Sequence, residues 1–171
     1  MSLENGRYRG LLYRALNPVY AREPLSGRGA ALHGGRFNRK EIATLYTSLT
    51  PETAIREANQ VGDLQPTTLV AYRADIGPIF DSRDMAALAK RQMTPETLAD
   101  AGWRLRMIEG EAVPTQEFAE ALIADGFVGL LVRSFAAGAR DDQLNLVLWR
   151  WNGGEDDRLQ LIDDQDRLSR I

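Results

Sequence analysis

Short β-rich runs alternate with helix-start signals along this chain, and they do so without a regular strand–helix–strand rhythm. Residues 11–16 (LLYRAL), 43–48 (ATLYTS), 67–76 (TTLVAYRADI), 129–133 (GLLVR) and 145–151 (NLVLWRW) read as strands, and 159–162 as a last edge strand. Thr50-Pro51 places an N-capping hydroxyl before a proline at the first helical position, which predicts a helix to about Gln60 with Ala54, Ile55 and Ala58 as its apolar stripe. The same letters, TPET, recur at 94–97, a reuse of the start signal within a mostly helical stretch expected over 84–100 and breaking around Gly102-Trp103. Residues 115–125 form an amphipathic pattern in which Phe118, Leu122 and Ile123 share a face. Residues 17–38 carry Gly, Pro and Arg without periodicity, which predicts a functional or partly disordered loop. Neither GxGxxG nor GxxxxGK[ST] occurs. The expected fold is therefore a mixed α/β (α+β) arrangement in one domain over residues 1–171.

Composition narrows the chemistry. The chain has no cysteine and one histidine, His33, read as a loop residue. Thiolate nucleophiles, zinc–thiolate sites and two-histidine acid–base pairs are excluded, and any metal would need an all-oxygen shell. The Asp-Asp pairs 141–142, 156–157 and 163–164 lack metal-site spacing, so no metal is expected. A net charge of -3 argues against general nucleic-acid binding. No apolar run approaches the roughly 18 residues of a membrane span, and Met1 to Gly10 lacks the apolar stretch of a secretion signal. A cytoplasmic location is the expectation.

Charge is nevertheless uneven. Arg7, Arg9, Arg14, Arg22, Arg28, Arg36, Arg39 and Lys40 crowd the first quarter, whereas Glu155, Asp156, Asp157, Asp163, Asp164 and Asp166 crowd the end. The basic quarter predicts either a local anionic ligand or pairing with the acidic tail.

Five places could carry chemistry. In Gly34-Gly35-Arg36-Phe37-Asn38, two glycines give the backbone freedom to approach a ligand, and the Arg36 fork suits phosphate; the alternative is an ordinary turn with an exposed arginine. Tyr46 in its strand is either a packing residue or a stacking surface for a flat ring. Glu57, beside Arg56 on the helix, is either solvated or aimed at the same strand end as Arg36 and Tyr46. Ser134 after GLLVR is either ligand-facing or a turn residue. Arg14, inside an apolar strand, requires a carboxylate or a bound anion as partner.

Taken together, YRA with Arg14, GGRFN with Arg36, TLYTS with Tyr46, SLTPETAIRE with Glu57 and the strand-end RS with Ser134 resemble the RES domain, a family named for its Arg, Glu and Ser. The resemblance covers nearly the whole chain. It implies an ADP-ribosyltransferase-like fold, with a split β-sheet around an NAD cleft. It also implies a toxin of a toxin–antitoxin pair, whose partner is an Xre-like antitoxin covering the cleft, often in higher assemblies. Members degrade NAD by phosphorolysis or hydrolysis, or transfer ADP-ribose to a protein; the intact REANQ segment leans the expectation toward transfer. The resemblance further implies that Arg36 holds a phosphate, with Arg14 assisting or ordering the cleft. Tyr46 would stack on the nicotinamide or its ribose, Ser134 would hydrogen-bond near the nicotinamide, and Glu57 would face the cation that develops as nicotinamide leaves. Asn145 is a further candidate contact. Residues 83–117 depart from the pattern as an insertion-like helical region. Two other readings remain: a non-enzymatic interaction module whose arginines bind an acidic partner, and, less suited to the acidic pI and lone histidine, a ribonuclease.

Overall fold

The computed structural model describes residues 3–60 and 63–168. The expected domain over 1–171 also takes in residues 1, 2, 61, 62 and 169–171, which lie outside them. Seven strands, β1 (Tyr8–Leu16), β2 (Leu45–Ser48), β3 (Thr68–Ile76), β4 (Ile79–Asp81), β5 (Gly129–Arg133), β6 (Leu144–Leu148) and β7 (Arg158–Leu161), form one sheet in the order β4-β5-β6-β2-β1-β3-β7. All pairs are antiparallel except β4 with β5.

The sheet has a seam. β1 and β3 pair continuously from Tyr8↔Ile76 to Leu16↔Thr68, and β2 pairs along its length with β6. Between β1 and β2 the only register pair is Tyr13↔Ser48. The two halves, β4-β5-β6-β2 and β1-β3-β7, are thus joined at one point and diverge around it, which is the split expected of the fold.

Period-2 alternation distributes the core to both faces. Leu45, Leu131, Leu144, Leu146 and Leu148 join Leu12, Tyr72 and Ile76 on one face. Leu130, Val132 and Val147 face the other way, under Phe118, Leu122, Leu88 and Leu98 of the helices. Each such fully buried side chain contributes about 1.5–3 kcal/mol relative to exposure. Tyr46 packs against the second face; Ser48 and Asn145, two residues along from Tyr46 and Val147, belong to that face too.

Six helices complete the fold: α1 (Arg28–His33), α2 (Pro51–Ala58), α3 (Met85–Lys90), α4 (Pro95–Ala99), α5 (Trp103–Glu109) and α6 (Pro114–Ala124). Both TPET copies start helices as read: Thr50 and Thr94 each accept the backbone N–H three residues on at 3.2 Å, with proline following. No helix among the described residues is long and apolar enough to cross a membrane.

The differences from the sequence reading are local. The stretch 17–38 contains a 3-10 turn, Pro18–Tyr20, and α1, whose last residue is His33. A six-residue helix is too short for its periodicity to stand out. Residues 84–100 divide into α3 and α4, because Gln92 has a left-handed φ of 57°. Trp103 begins α5 instead of marking a break. β4 was not anticipated, since three residues are too few for a pattern. Trp149 and Trp151 lie beyond β6, where their indole N–H groups donate to Phe37 O at 2.9 Å and Leu25 O at 3.2 Å.

Candidate active site

The GGRFN loop is held in place before any ligand arrives. Gly34 adopts φ 72°, a backbone conformation that favours glycine. At Gly35 a Cβ would collide with the Tyr46 hydroxyl and come within 2.6 Å of Asn38 Oδ1. The close approach that requires glycine there is thus to Tyr46, not to a ligand. The Tyr46 hydroxyl donates to Asn38 Oδ1 at 2.7 Å and accepts from the Phe37 N–H at 3.0 Å. Burial pushes the Tyr46 phenol well above its ordinary range, against the opposing Phe37 N–H and Arg36 charge. It therefore serves as a neutral clamp. Asn38 Nδ2 donates to the carbonyls of Ala30, Arg39 and Ile42, and Gln116 Nε2 donates to Gly35 O at 2.9 Å.

This scaffold fixes Arg36. Its Nη1 donates to Leu98 O at 3.0 Å and Asp100 O at 2.6 Å, at the end of α4. Its guanidinium carbon lies 4.6 Å from the Phe135 ring centroid. Nε and Nη2 have no protein acceptor among the described residues, and no carboxylate forms an ion pair with Arg36. Burial lowers its pKa, while the charges of Glu57 and Asp100 oppose that shift. A guanidinium half out of water and bonded only to neutral carbonyls retains its charge for an anion.

Glu57 enters from α2. Its Oε1 accepts from Ser134 Oγ and from Asn145 Nδ2, each at 2.5 Å. Ser134 Oγ in turn accepts the Ala136 N–H at 3.3 Å. Ser48 Oγ donates to Asn145 Oδ1 at 2.7 Å, which fixes the Asn145 amide with its NH2 toward Glu57. Gln60 Nε2 reaches Glu57 Oε2. One carboxylate oxygen is thus tied to the sheet, and the other lies toward Gln60.

Two cavities meet at this carboxylate. One, of about 240 Å³, is lined by Arg36, Tyr46, Glu57, Asn145, Trp103 and Phe135, among others. The second, of about 320 Å³, lies at the β1–β2 seam and shares Tyr46, Glu57, Gln60 and Asn145 while adding Tyr13 and Arg14. Arg36, Tyr46 and Glu57, which come from a loop, a strand and a helix, therefore face a common space, with Asn145 beside them. A larger groove of about 770 Å³ runs between α3 and α6 and contains none of these residues.

Arg14 pairs with no carboxylate among the described residues: its Nη1 donates to Pro24 O and Ser26 O at 3.2 and 3.3 Å, and so orders the loop before α1. Ser134 does not line either cavity. It is 1% exposed and acts through Glu57. Residues 83–117 are no detached insertion, because they supply the carbonyls that grip Arg36 and the Trp103 wall.

Sequence reading missed Ser48, Gln60, Asn38, Trp103, Arg104 and Phe135. A signal existed for Ser48, which shares the period of Tyr46, and for Asn38, inside the GGRFN run. Nothing local pointed to Phe135. Among the described residues no group of three His, Asp or Glu is arranged to hold a metal ion.

Comparison with known proteins adds two findings. The family described as the RES domain matches residues 11–170. A chain in the crystal structure of the M. tuberculosis MbcT–MbcA toxin–antitoxin complex has a similar fold, with a TM-score of 0.55 and 21% identity over 92% of this chain and 83% of that one. No curated protein matches the chain.

Proposed function

The chain belongs to the RES domain family, and on that premise we propose that it is the toxin of a toxin–antitoxin pair that cleaves the nicotinamide–ribose bond of NAD and transfers ADP-ribose to a cellular protein. The observation that carries this reading is the convergence of Arg36 and Glu57 on one cavity, the arginine free of carboxylate partners and the carboxylate pinned by Asn145 and Ser134.

The chemistry follows from the charges. Nicotinamide in NAD is already a cationic leaving group, so its departure needs no strong general acid. Positive charge builds on the ribose as the bond stretches, and a fixed carboxylate stabilises it. Tying Oε1 to the sheet leaves Oε2 to face the ribose once Gln60 yields. Arg36 would grip a phosphate with Nε and Nη2, its orientation set in advance by Leu98 O and Asp100 O. Phe135, Trp103 and the Tyr46 ring offer flat apolar walls for the nicotinamide. Tyr46 does this with its ring alone, since its hydroxyl is committed to the loop.

An antitoxin with an Xre-like DNA-binding domain, covering the cleft, is the proposed partner, and the cytoplasm, where such a pair would meet NAD, the proposed location. The likeness to a chain of a toxin–antitoxin complex supports a partner of this kind. Tyr20 and Leu32, 69% and 66% exposed, stand at the mouth of a cavity next to Arg14 and offer apolar surface for one.

The test is incubation of the purified protein with labelled NAD, with and without phosphate and then with cell extract. A labelled protein band is the expected result. Phosphate-dependent nicotinamide release without a band points to phosphorolysis, and phosphate-independent release to hydrolysis. No release in any arm, or equal release by Glu57→Gln, overturns the assignment and leaves the interaction-module reading.

A further inference from the structure

We infer that Arg104 supplies the second guanidinium of a pair with Arg36, and that the pair selects ligands carrying two linked phosphates. The inference rests on the reading of this cavity as the NAD site and adds a residue from the segment outside the family motifs.

Arg104 sits in the first turn of α5 and lines the same cavity of about 240 Å³ as Arg36 and Glu57. Both guanidinium groups lie against one indole: Arg104 at 5.1 Å and Arg36 at 5.9 Å from the Trp103 ring centroid. Trp103 thus lies within cation–π range of two positive charges that line one cavity. Arg104 makes no hydrogen bond and no ion pair among the described residues. Asp100, four residues before Arg104, is committed elsewhere: its carboxylate pairs with Arg106 at 3.2 Å and accepts the Gly102 N–H at 2.9 Å. Glu57 faces the cavity too, but its oxygens are engaged by Ser134, Asn145 and Gln60.

Two like charges sharing a wall repel, and a single carboxylate beyond them does not neutralise both. An anion between them removes the repulsion, and one with two adjacent charges engages each guanidinium at once. A diphosphate has this form, and each arginine retains donors for it. Arg36 is held by two carbonyls and Arg104 is exposed, so the first would position the ligand and the second would close on it. A lone phosphate would satisfy Arg36 and leave Arg104 idle.

The test compares ADP-ribose, ADP and AMP binding by calorimetry for the wild-type chain, Arg104→Ala and Arg104→Lys, alongside NAD turnover. Because Arg104 makes only the contact with the Trp103 ring, and no hydrogen bond or ion pair among the described residues, its removal should leave the fold intact, which circular dichroism checks. We expect Arg104→Ala to weaken ADP-ribose and ADP by about ten- to a hundredfold, the range of a charge-assisted hydrogen bond, and AMP by much less. Arg104→Lys should recover only part of the loss, since an ammonium lacks the fork. The KM for NAD should rise by a similar factor with kcat nearly unchanged. Equal losses for AMP and ADP-ribose, or affinities within about twofold of wild type, overturn the inference while leaving the NAD reading intact if wild type still releases nicotinamide. A wild-type chain that binds none of the three overturns both.

Discussion

Two sets of arginines from the same basic quarter of the chain end in opposite circumstances. At the outer end of β1, Arg7 pairs with Asp75 at 3.0 Å and Asp157 at 3.3 Å, and Arg9 pairs with Glu4 and Asp75. There the acidic tail does meet the basic start. At the seam and in the cleft, Arg14 and Arg36 pair with no carboxylate among the described residues and donate to backbone carbonyls. Carbonyls fix direction without cancelling charge. The first set is finished by folding, while the second is left positive beside a cavity, so charge compensation separates a structural arginine from a ligand-binding one.

Glu57→Gln should lower nicotinamide release by about two to three orders of magnitude, as loss of one preorganised charge-stabilising group does, with Tm nearly unchanged; a wild-type rate would end the assignment. Arg36→Lys should follow, raising the KM for NAD by about tenfold or more, because lysine cannot hold two carbonyls and a phosphate in one plane. A variant with wild-type KM would place Arg36 with the structural set. Ser48→Ala should come third. It frees the Asn145 amide to turn, removes one hydrogen bond worth about 0.5–1.5 kcal/mol in stability, and lowers kcat more than it changes KM. Denaturant unfolding and steady-state rates would measure the two parts.

The smallest effect belongs to the paired set. Asp75→Asn should leave NAD turnover untouched and change Tm slightly near neutrality. The hydrogen bond from Arg7, aided by the charges of Arg9 and Arg7 and opposed by slight desolvation, holds the Asp75 carboxyl below its ordinary range. A depressed folded value means the contribution is complete above the unfolded titration, near pH 4, and disappears as pH falls through the lower folded value. The difference in Tm between wild type and variant should therefore close below about pH 4. A difference that persists there would mean that Asp75 acts through packing.

Much of this fold was legible in the sequence because its signals are short in range. Strand alternation showed β1, β2, β3, β5 and β6, and Thr-Pro pairs marked where α2 and α4 begin. The site was legible only as residue types in order: Arg14, Arg36, Tyr46, Glu57 and Ser134 carried the family resemblance. Their division of labour was not. Tyr46 reads as a stacking ring, and in the structure its hydroxyl clamps the loop while it also lines the cavity. Ser134 reads as a ligand contact, and in the structure its hydroxyl donates to Glu57. Trp103 and Arg104 lay in a stretch without motif and prove to wall the cavity.

The sequence alone determined which elements form and which side chains were available for chemistry, because periodicity, capping and residue type act within a few residues. Only the tertiary structure decided which arginines meet a carboxylate, where the sheet parts, and which atoms of Glu57 are tied. Those outcomes join groups 77 and 88 residues apart in the chain. No local preference specifies such contacts; the packing of two sheet halves around a single shared register pair does.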